Sequence, residues 1–141
     1  PKDNMMKRRD FLKMSAALSL IPATGFAAEG SFEITRTKAE WQAMLTETEY
    51  LVMREDGTEK PNSSPLNLEK RAGTGWPSFY EALPNAVGTR PDNTLFTTRT
   101  EVHCRRCGSH LGHIFNDGPK PTGKRHCLNG VSLTFKPKTE A

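Results

Sequence analysis

The chain has 141 residues, which is enough for one domain of ordinary size and too few for two. Its hydrophobic content of 35% and charged content of 26% are typical of a globular protein and exclude a disordered chain. The net charge of +4 lies mostly in the first 27 residues, and residues 28–141 carry a net charge of only +1. No basic stripe with interleaved aromatic residues is present, so we expect no nucleic-acid partner.

The first 27 residues have the pattern of an export signal. The string Arg8-Arg9-Asp10-Phe11-Leu12-Lys13 precedes the short apolar stretch Met14–Ile21 and the small-x-small sequence Gly25-Phe26-Ala27. The string resembles a twin-arginine signal, whereas the alternative is an ordinary disordered basic terminus. The apolar stretch is far shorter than the ~20 residues of a membrane span, so we expect no stable membrane insertion. We predict removal of residues 1–27, a single domain over residues 28–141, and a bacterial periplasmic location.

A helix is predicted near the start of this domain. Thr37 and Glu40 form a capping box, and Trp41, Met44 and Leu45 follow at helical spacing. We expect one helix over about residues 38–48, with Trp41 in the core. The segment from Arg54 to Arg71 is rich in glycine, proline, asparagine and serine, and it is predicted to be a long loop.

Two segments alternate with the period of a strand. Residues 95–103 place threonine, phenylalanine and valine on one side and charged residues on the other, and residues 131–136 alternate in the same way. Residues 116–123 between them are dense in turn-forming residues. These patterns predict a small, mainly β, mostly antiparallel domain with a short N-terminal helix.

All three cysteines and all four histidines fall between residues 103 and 127. Cys104 and Cys107 form a C-x-x-C pair, which can bind one Zn²⁺ from a tight turn or close a small disulfide. A structural zinc site needs four ligands, and His110 and His113 are the nearest residues that could complete Cys₂His₂. A catalytic use of the two histidines competes with this interpretation.

Cys127 follows the basic residues Arg125 and His126 in the segment Arg125-His126-Cys127-Leu128-Asn129. A neighbouring arginine stabilises a thiolate, which is the form of cysteine that attacks. The alternative is a buried cysteine that packs as a small apolar residue. Spacing alone leaves the two alternatives equally weighted.

Four motifs in order give the chain a resemblance to a known family. They are Gly75-Trp76-Pro77-Ser78-Phe79, His110-Leu111-Gly112-His113-Ile114-Phe115, Asp117-Gly118-Pro119-x-Pro121-Thr122-Gly123 and Arg125-x-Cys127-x-Asn129. Together they resemble the methionine-R-sulfoxide reductases, and the resemblance covers about residues 36–138. It implies two small antiparallel sheets with short N-terminal helices, and an enzyme that needs no cofactor for its chemistry.

The resemblance also implies roles for individual residues. Cys127 matches the nucleophile, and His110 and His113 match the pair that holds the sulfoxide oxygen or a water and delivers protons. Arg125 and Asn129 are expected to orient and polarise the site. Trp76 would receive the substrate's S-methyl group, and Phe115 would complete that apolar wall. His103 and His126 are expected to be solvated strand residues without a role.

The chain departs from the family pattern in two places. Zinc-binding members carry two C-x-x-C pairs, and Cys104 and Cys107 match only the second. We infer that roughly twenty residues with a hairpin and the first pair are missing before Gly75, so zinc should be weakly bound or lost. Thr74 stands where many members have a resolving cysteine, so reduction of Cys127 should depend on an external thioredoxin-like protein or a small thiol.

The substrate implied by the resemblance is methionine sulfoxide, either free or within an oxidised protein. A second hypothesis is a non-catalytic zinc-binding β module that uses Cys104, Cys107, His110 and His113 as ligands. Such a module would need neither Trp76 nor Cys127, so their presence favours the enzyme.

Overall fold

The computed structural model describes residues 31–69 and 73–137. The predicted export signal lies outside these residues and stays a prediction, as does the domain boundary at residue 28. In the part of the chain that the structure describes, no helix has both the length and the apolar character needed to cross a membrane.

Two helices, α1 and α2, occupy the region where one was predicted. They span Lys38–Met44 and Glu47–Arg54. Leu45 between them is extended, and a second capping box of Thr46 and Glu49 starts α2. The prediction of one helix over residues 38–48 was therefore wrong at its end, because the second capping box had been overlooked.

Trp41 lies outside the core, contrary to the prediction. Helix α1 contributes no buried residue, and the Trp41 ring is half-buried with the Arg54 guanidinium 4.7 Å from its centroid. A third helix, α3, spans Pro65–Glu69 within the predicted loop. Proline is favoured at the first helical position because its φ is already helical and its missing N–H is not needed there.

Five antiparallel strands form one sheet in the order β1-β5-β4-β3-β2. They span Ser78–Phe79, Val87–Asp92, Arg99–Cys104, His110–Phe115 and Arg125–Leu128. The mainly β, antiparallel fold class is confirmed. The described residues carry a single sheet where the resemblance implied two small ones.

Two strand predictions need correction. The strand expected from Leu95 begins at Arg99, because Thr94 and Thr98 hydrogen-bond to Asp92 and Asn93 in the β2–β3 connection. The strand expected over residues 131–136 does not form. Its start is a 3₁₀ turn, Gly130–Ser132, and residues 133–137 belong to no strand.

The two faces of the sheet have different characters. Val102, Leu111 and Leu128 are buried together as the apolar core, with Ile114 packed against them. The residues that alternate with them are polar, and Glu101 among them is only 3% exposed. Because side chains alternate between the two faces of a strand, the sheet has one apolar face that packs into the core and one face that carries the polar residues.

Candidate active site

One row of side chains crosses the whole sheet on its polar face. Neighbours in the row are directly opposite partners in adjacent strands, and they are Ser78, Cys127, His113, Glu101 and Arg90. Directly opposite residues in antiparallel strands point to the same face, with their Cβ atoms about 5 Å apart. The pairing therefore places the expected nucleophile beside one of the expected proton donors.

A β-bulge brings His110 to the same face as His113. Residues three apart on a regular strand point to opposite faces. The register shifts between Val102 and His103, so that His103 pairs with His110 and Leu111 becomes the extra residue of β4. The His110 and His113 rings then meet edge to face, with centroids 5.3 Å apart.

Gly112 is required beside the bulge. Its φ is +153°, and a Cβ at this position would lie 2.1 Å from the Cys127 carbonyl oxygen. The close approach of β4 and β5 that sets Cys127 next to His113 therefore depends on the absence of a side chain here.

A pocket of about 200 Å³ opens over Cys127. Four predicted residues line it with Cys127, namely Trp76, His113, Phe115 and Asn129. Thr58, Arg99, Gly112 and Leu128 complete its walls. The pocket is smaller than the ~300–1,000 Å³ of most small-molecule sites, so its size suits the tip of a side chain.

His113 is held by a carboxylate that the sequence did not single out. Its Nε2 lies 2.7 Å from Asp92 Oδ2, and both side chains are nearly buried. Burial lowers the pKa of His113, and the charges of Arg99 and His110 lower it further, whereas the Asp92 carboxylate opposes them. Hydrogen bonds from Thr94, His113 and Arg99 hold the pKa of Asp92 far below its ordinary value.

His110 is bound to a second buried carboxylate. Its Nδ1 lies 2.8 Å from Glu101 Oε1, the side chain is 1% exposed, and its Nε2 has no partner among the described residues. His110 lines a separate cavity of about 500 Å³ behind His113, rather than the Cys127 pocket. Its place is therefore behind His113.

Asn129 and Trp76 are fixed through the backbone of the segment that follows α2. Asn129 Oδ1 accepts from the Glu59 N–H at 3.0 Å, and its amide donates to the Leu111 carbonyl at 3.1 Å. Trp76 Nε1 donates to the Glu59 carbonyl at 3.1 Å. Glu59 therefore joins two walls of the pocket, and its carboxylate also accepts from the Gly130 N–H.

Arg125 lies at the rim and not in the pocket lining. Its guanidinium makes two hydrogen bonds of 2.9 Å to the Asp117 carboxylate and covers the Phe115 ring at 4.6 Å. The hydrogen bonds that Arg125 donates to Asp117 raise the pKa of Arg125, and the Cys127 thiol also contributes. Arg125 is thus charged beside Cys127, and it orients Phe115.

The two remaining histidines differ from each other. His103, predicted to be solvated, has a nearly buried side chain, and its Nδ1 lies 3.0 Å from Glu101 Oε2. Glu101 and His103 are two residues apart in β3, so they lie on the same face and the buried carboxylate is within reach of the ring. His126 is the cross-strand partner of Phe79 and Ile114, in the row of residues next to the row that contains Cys127. It does not line the pocket, and burial lowers its pKa.

Cys104 is the last residue of β3, and Cys107 lies in the turn that leads to β4. The Cys107 thiol donates to Ser109 Oγ at 3.2 Å, and the Arg54 guanidinium donates to the Cys107 carbonyl at 3.1 Å. Burial raises the pKa of the Cys107 thiol, but Ser109, Cys104 and Arg54 outweigh it, so that this pKa is lowered overall.

The described residues do not fit a tetrahedral zinc site. Only one group of three or more potential ligands has its atoms within 4.8 Å in residues 31–69 and 73–137, and it consists of Asp56, Glu101 and His110. Neither cysteine belongs to it, and Arg90 already binds both of its carboxylates. The Cys₂His₂ arrangement of the second hypothesis is therefore not favoured.

Four residues around the site were overlooked at the sequence level, namely Glu59, Asp92, Arg99 and Glu101. A signal for two of them was present, because Arg99 and Glu101 share the charged side of the strand expected from residue 95. Asp92 and Glu59 lie at a strand end and in a loop, where periodicity carries no information about contacts.

Comparison with known proteins gives a consistent result. The SelR domain family matches residues 70–137. A protein of Methanosarcina barkeri is 43% identical over 129 residues, which cover 76% of this chain and 91% of the relative. Relatives from Leifsonia xyli and Thiobacillus denitrificans are 42% and 45% identical and cover 81% and 73% of the chain. All three are named peptide methionine sulfoxide reductase MsrB.

The matched lengths also agree with a missing internal segment. The match to the Methanosarcina protein runs over 129 positions but occupies 76% of a 141-residue chain, about 107 residues. About 22 matched positions therefore have no counterpart here. The family match begins at residue 70, next to the point before Gly75 where a gap of roughly twenty residues was inferred.

Proposed function

The chain belongs to the SelR-domain family of peptide methionine sulfoxide reductases, and we propose that it reduces the R-sulfoxide of methionine to methionine with Cys127 as the nucleophile. The observation that carries this proposal is the pocket in which Cys127, His113 and Trp76 meet. A thiol, a proton donor and an apolar wall are the three groups that this reaction needs.

The substrate tip fits the pocket in one orientation. Its S-methyl group lies against the rings of Trp76 and Phe115, and its oxygen faces His113. The sulfur then faces Cys127, which follows because Cys127 and His113 are cross-strand partners. Three fixed contacts around a pyramidal sulfur discriminate between its two configurations, and this is the basis for selectivity toward one epimer.

The chemical step needs a proton at the oxygen. His113 donates it, and protonation makes the sulfur electrophilic. The Cys127 thiolate attacks this sulfur and forms an S–S bond. The protonated oxygen then moves to the Cys127 sulfur as the S–O bond of the substrate breaks, and the S–S bond breaks with its electron pair going to the substrate sulfur. The substrate sulfur gains two electrons and becomes methionine, while the cysteine sulfur loses two and becomes a sulfenic acid.

Recycling of Cys127 uses an external thiol. Cys104 is on β3, two strands away from the β5 strand of Cys127, which separates their Cα atoms by about 10 Å across the sheet. It also lies three residues further along β3 than Glu101, which is level with Cys127, and this adds about 10 Å along the strand direction. The resulting Cα separation of about 14 Å is twice the ~7 Å limit for a disulfide. One reductant thiol therefore expels water from the sulfenic acid and forms a mixed disulfide, and a second releases Cys127.

We further infer the setting of the reaction from the leader. Residues 8–13 resemble a twin-arginine signal, which supports export to a bacterial periplasm. A thioredoxin-like protein is then the reductant. Zinc plays no part in the steps above, and we propose that Cys104 and Cys107 hold it weakly at most.

The proposal is tested by turnover of separated sulfoxide epimers, both as free methionine sulfoxide and within a short peptide. We expect methionine from the R epimer only, with dithiothreitol as reductant. Cys127→Ser should give none, and Cys104→Ser serves as the matched cysteine control. Equal rates with both epimers, or a rate in Cys127→Ser above a tenth of wild type, would refute the assignment.

A further inference from the structure

The carboxylate of Asp92 holds the ring that is expected to deliver the proton. His113 lies between two groups on the polar face, with Cys127 on the β5 side and Asp92 on the β2 side. We propose that Asp92 is a positioning residue for the reduction. It binds His113 Nε2 and so presents the other ring nitrogen, Nδ1, to the sulfoxide oxygen in the Cys127 pocket. This inference rests on the proposed function.

The Asp92 carboxylate accepts three hydrogen bonds in addition to its contact with His113. Its Oδ2 accepts from Arg99 Nη2 at 2.6 Å, and its Oδ1 accepts from the Thr94 N–H at 3.0 Å and the Thr94 hydroxyl at 2.6 Å. The side chain is 13% exposed. A carboxylate fixed by a guanidinium and a turn cannot rotate away, so the imidazole bound to it keeps one orientation.

The surroundings of His113 make such a hold necessary. The ring lines both the 200 Å³ pocket over Cys127 and the 500 Å³ cavity behind it. A ring between two cavities has room to turn, and only its Nε2 makes a hydrogen bond to another described residue. Without Asp92 the imidazole ring would flip between two orientations, so that Nδ1 and Nε2 would each face the substrate only part of the time.

Charged and titratable groups face His113 from the neighbouring elements. They are Asp92 from β2, Arg99 and Glu101 from β3, His110 from β4 and Cys127 from β5. Glu101 is already bound to Arg90, His103 and His110. Asp92 is therefore the carboxylate committed to His113, and Glu101 cannot take its place when it is removed.

A purely structural role is the alternative. Asp92 and Arg99 are opposite partners at the end of the β2–β3 hairpin, so their ion pair also closes that hairpin. Thr98 stabilises the same connection through its hydroxyl bond to Asn93 and lies outside both cavities. Thr98→Ala is therefore a control for loss of hairpin stability, and Glu55→Gln is a control for loss of a carboxylate from the rear cavity.

The kinetic test compares Asp92→Ala, Asp92→Asn and Asp92→Glu with these two controls. A displaced proton donor lowers the chemical step by about 10²-fold, while binding of the substrate tip is kept. We therefore expect kcat to fall about 100-fold in Asp92→Ala with KM within about threefold. Asp92→Glu should recover part of kcat, and both controls should match wild type. A kcat within threefold of wild type in Asp92→Ala would overturn the inference.

A spectroscopic test does not depend on turnover. Nitrogen-15 spectra of the histidine rings, assigned by the loss of signals in His113→Gln, report which ring nitrogen carries the proton. We expect a single tautomer for His113 in the wild type and a mixture in Asp92→Ala. An unchanged spectrum in Asp92→Ala would overturn the inference even in an active enzyme. If the wild type shows no turnover, the proposed function is refuted. A mixture of His113 tautomers in Asp92→Ala would still support the role of Asp92 in fixing the orientation of His113.

Discussion

The pocket over Cys127 and the Cys104–Cys107 turn lie at different places along the same sheet. The pocket contains all the groups that its expected reaction needs, whereas the turn lacks two of the four ligands of a zinc site. The pocket brings together the thiol, the imidazole and the aromatic wall, and its residues His113 and Asn129 are held by hydrogen bonds to Asp92 and Glu59. The turn brings together the thiols of Cys104 and Cys107 with Ser109, and Arg54 of α2 binds its backbone, but neither thiol belongs to a group of three or more potential metal ligands among the described residues.

The comparison teaches that the catalytic geometry and the metal corner depend on different parts of the chain. The pocket is built by strand register between β4 and β5, a bulge and one glycine, all within residues 76–129. A tetrahedral zinc site needs four ligands, and the Cys104–Cys107 turn supplies two thiols. The pocket over Cys127 is built without either of these cysteines.

The largest expected contrast is between the cysteines of the two regions. Cys127→Ser should lower the rate to background, at least about 10³-fold, because a hydroxyl is a far weaker nucleophile at neutral pH. The double variant Cys104→Ser/Cys107→Ser should keep a rate within about threefold, because neither thiol lines the pocket over Cys127. Steady-state assays with dithiothreitol compare them. Equal losses in both variants would erase the distinction between the regions.

His113→Ala should lower turnover by roughly 10²–10⁴-fold, the usual range of acid–base catalysis. Burial lowers the pKa of His113 below its ordinary value of 6.5, so the ring loses its proton as the pH rises through that lower pKa. The wild-type kcat should therefore fall on the alkaline side of this pKa. The kcat–pH profile of His113→Ala should lack this limb, and an unchanged profile would contradict the role of His113 as the acid.

Metal removal should affect neither region strongly. With one C-x-x-C pair, zinc after purification should be well below one equivalent and readily lost to a chelator. Turnover should be unchanged by that treatment. Elemental analysis, together with assays before and after chelation, tests this. One tightly held zinc per chain would instead support a site shared with histidines or with a second chain.

The smallest expected effect concerns acid stability. Hydrogen bonds from Thr94, His113 and Arg99 depress the pKa of Asp92 below its ordinary value of 3.8. A group whose pKa is lower in the folded than in the unfolded protein stabilises the fold when the pH is above the unfolded-state pKa. That stability is lost as the pH falls from the unfolded-state pKa through the folded-state pKa. Urea unfolding of Asp92→Asn should therefore show a smaller loss of stability below pH 3.8 than wild type. An identical loss in Glu55→Gln and Asp92→Asn would show that Asp92 contributes nothing specific.

Much of the site could be predicted because its motifs are local. The segments around Trp76, His113 and Cys127 each carry a recognisable string, and the structure brings these three residues to one pocket. The role of His110 was predicted less well. It is fully buried behind His113 and bound to Glu101, which depends on a register shift that no local pattern encodes.

The fold was predicted at the level of its class but not of its elements. Strand β2 contains Pro91 and Gly88, and β4 contains Gly112, so alternation of apolar residues did not identify them. Residues 131–136 alternate like a strand, but they begin in a 3₁₀ turn whose hydrogen bonds are accepted by the Asn129 and Gly130 carbonyls, and they form no strand. Tertiary pairing decided both cases against local propensity.

The central claim is that Cys127 alone reacts with the substrate. Peptide mass mapping after one equivalent of methionine-R-sulfoxide, without reductant, tests it most directly. We predict one equivalent of methionine and a trapped sulfenic acid at Cys127, with Cys104 and Cys107 free or bonded to each other. A crosslink from Cys127 to Cys104 or Cys107 in most molecules, or an unmodified Cys127 after methionine has formed, would contradict it.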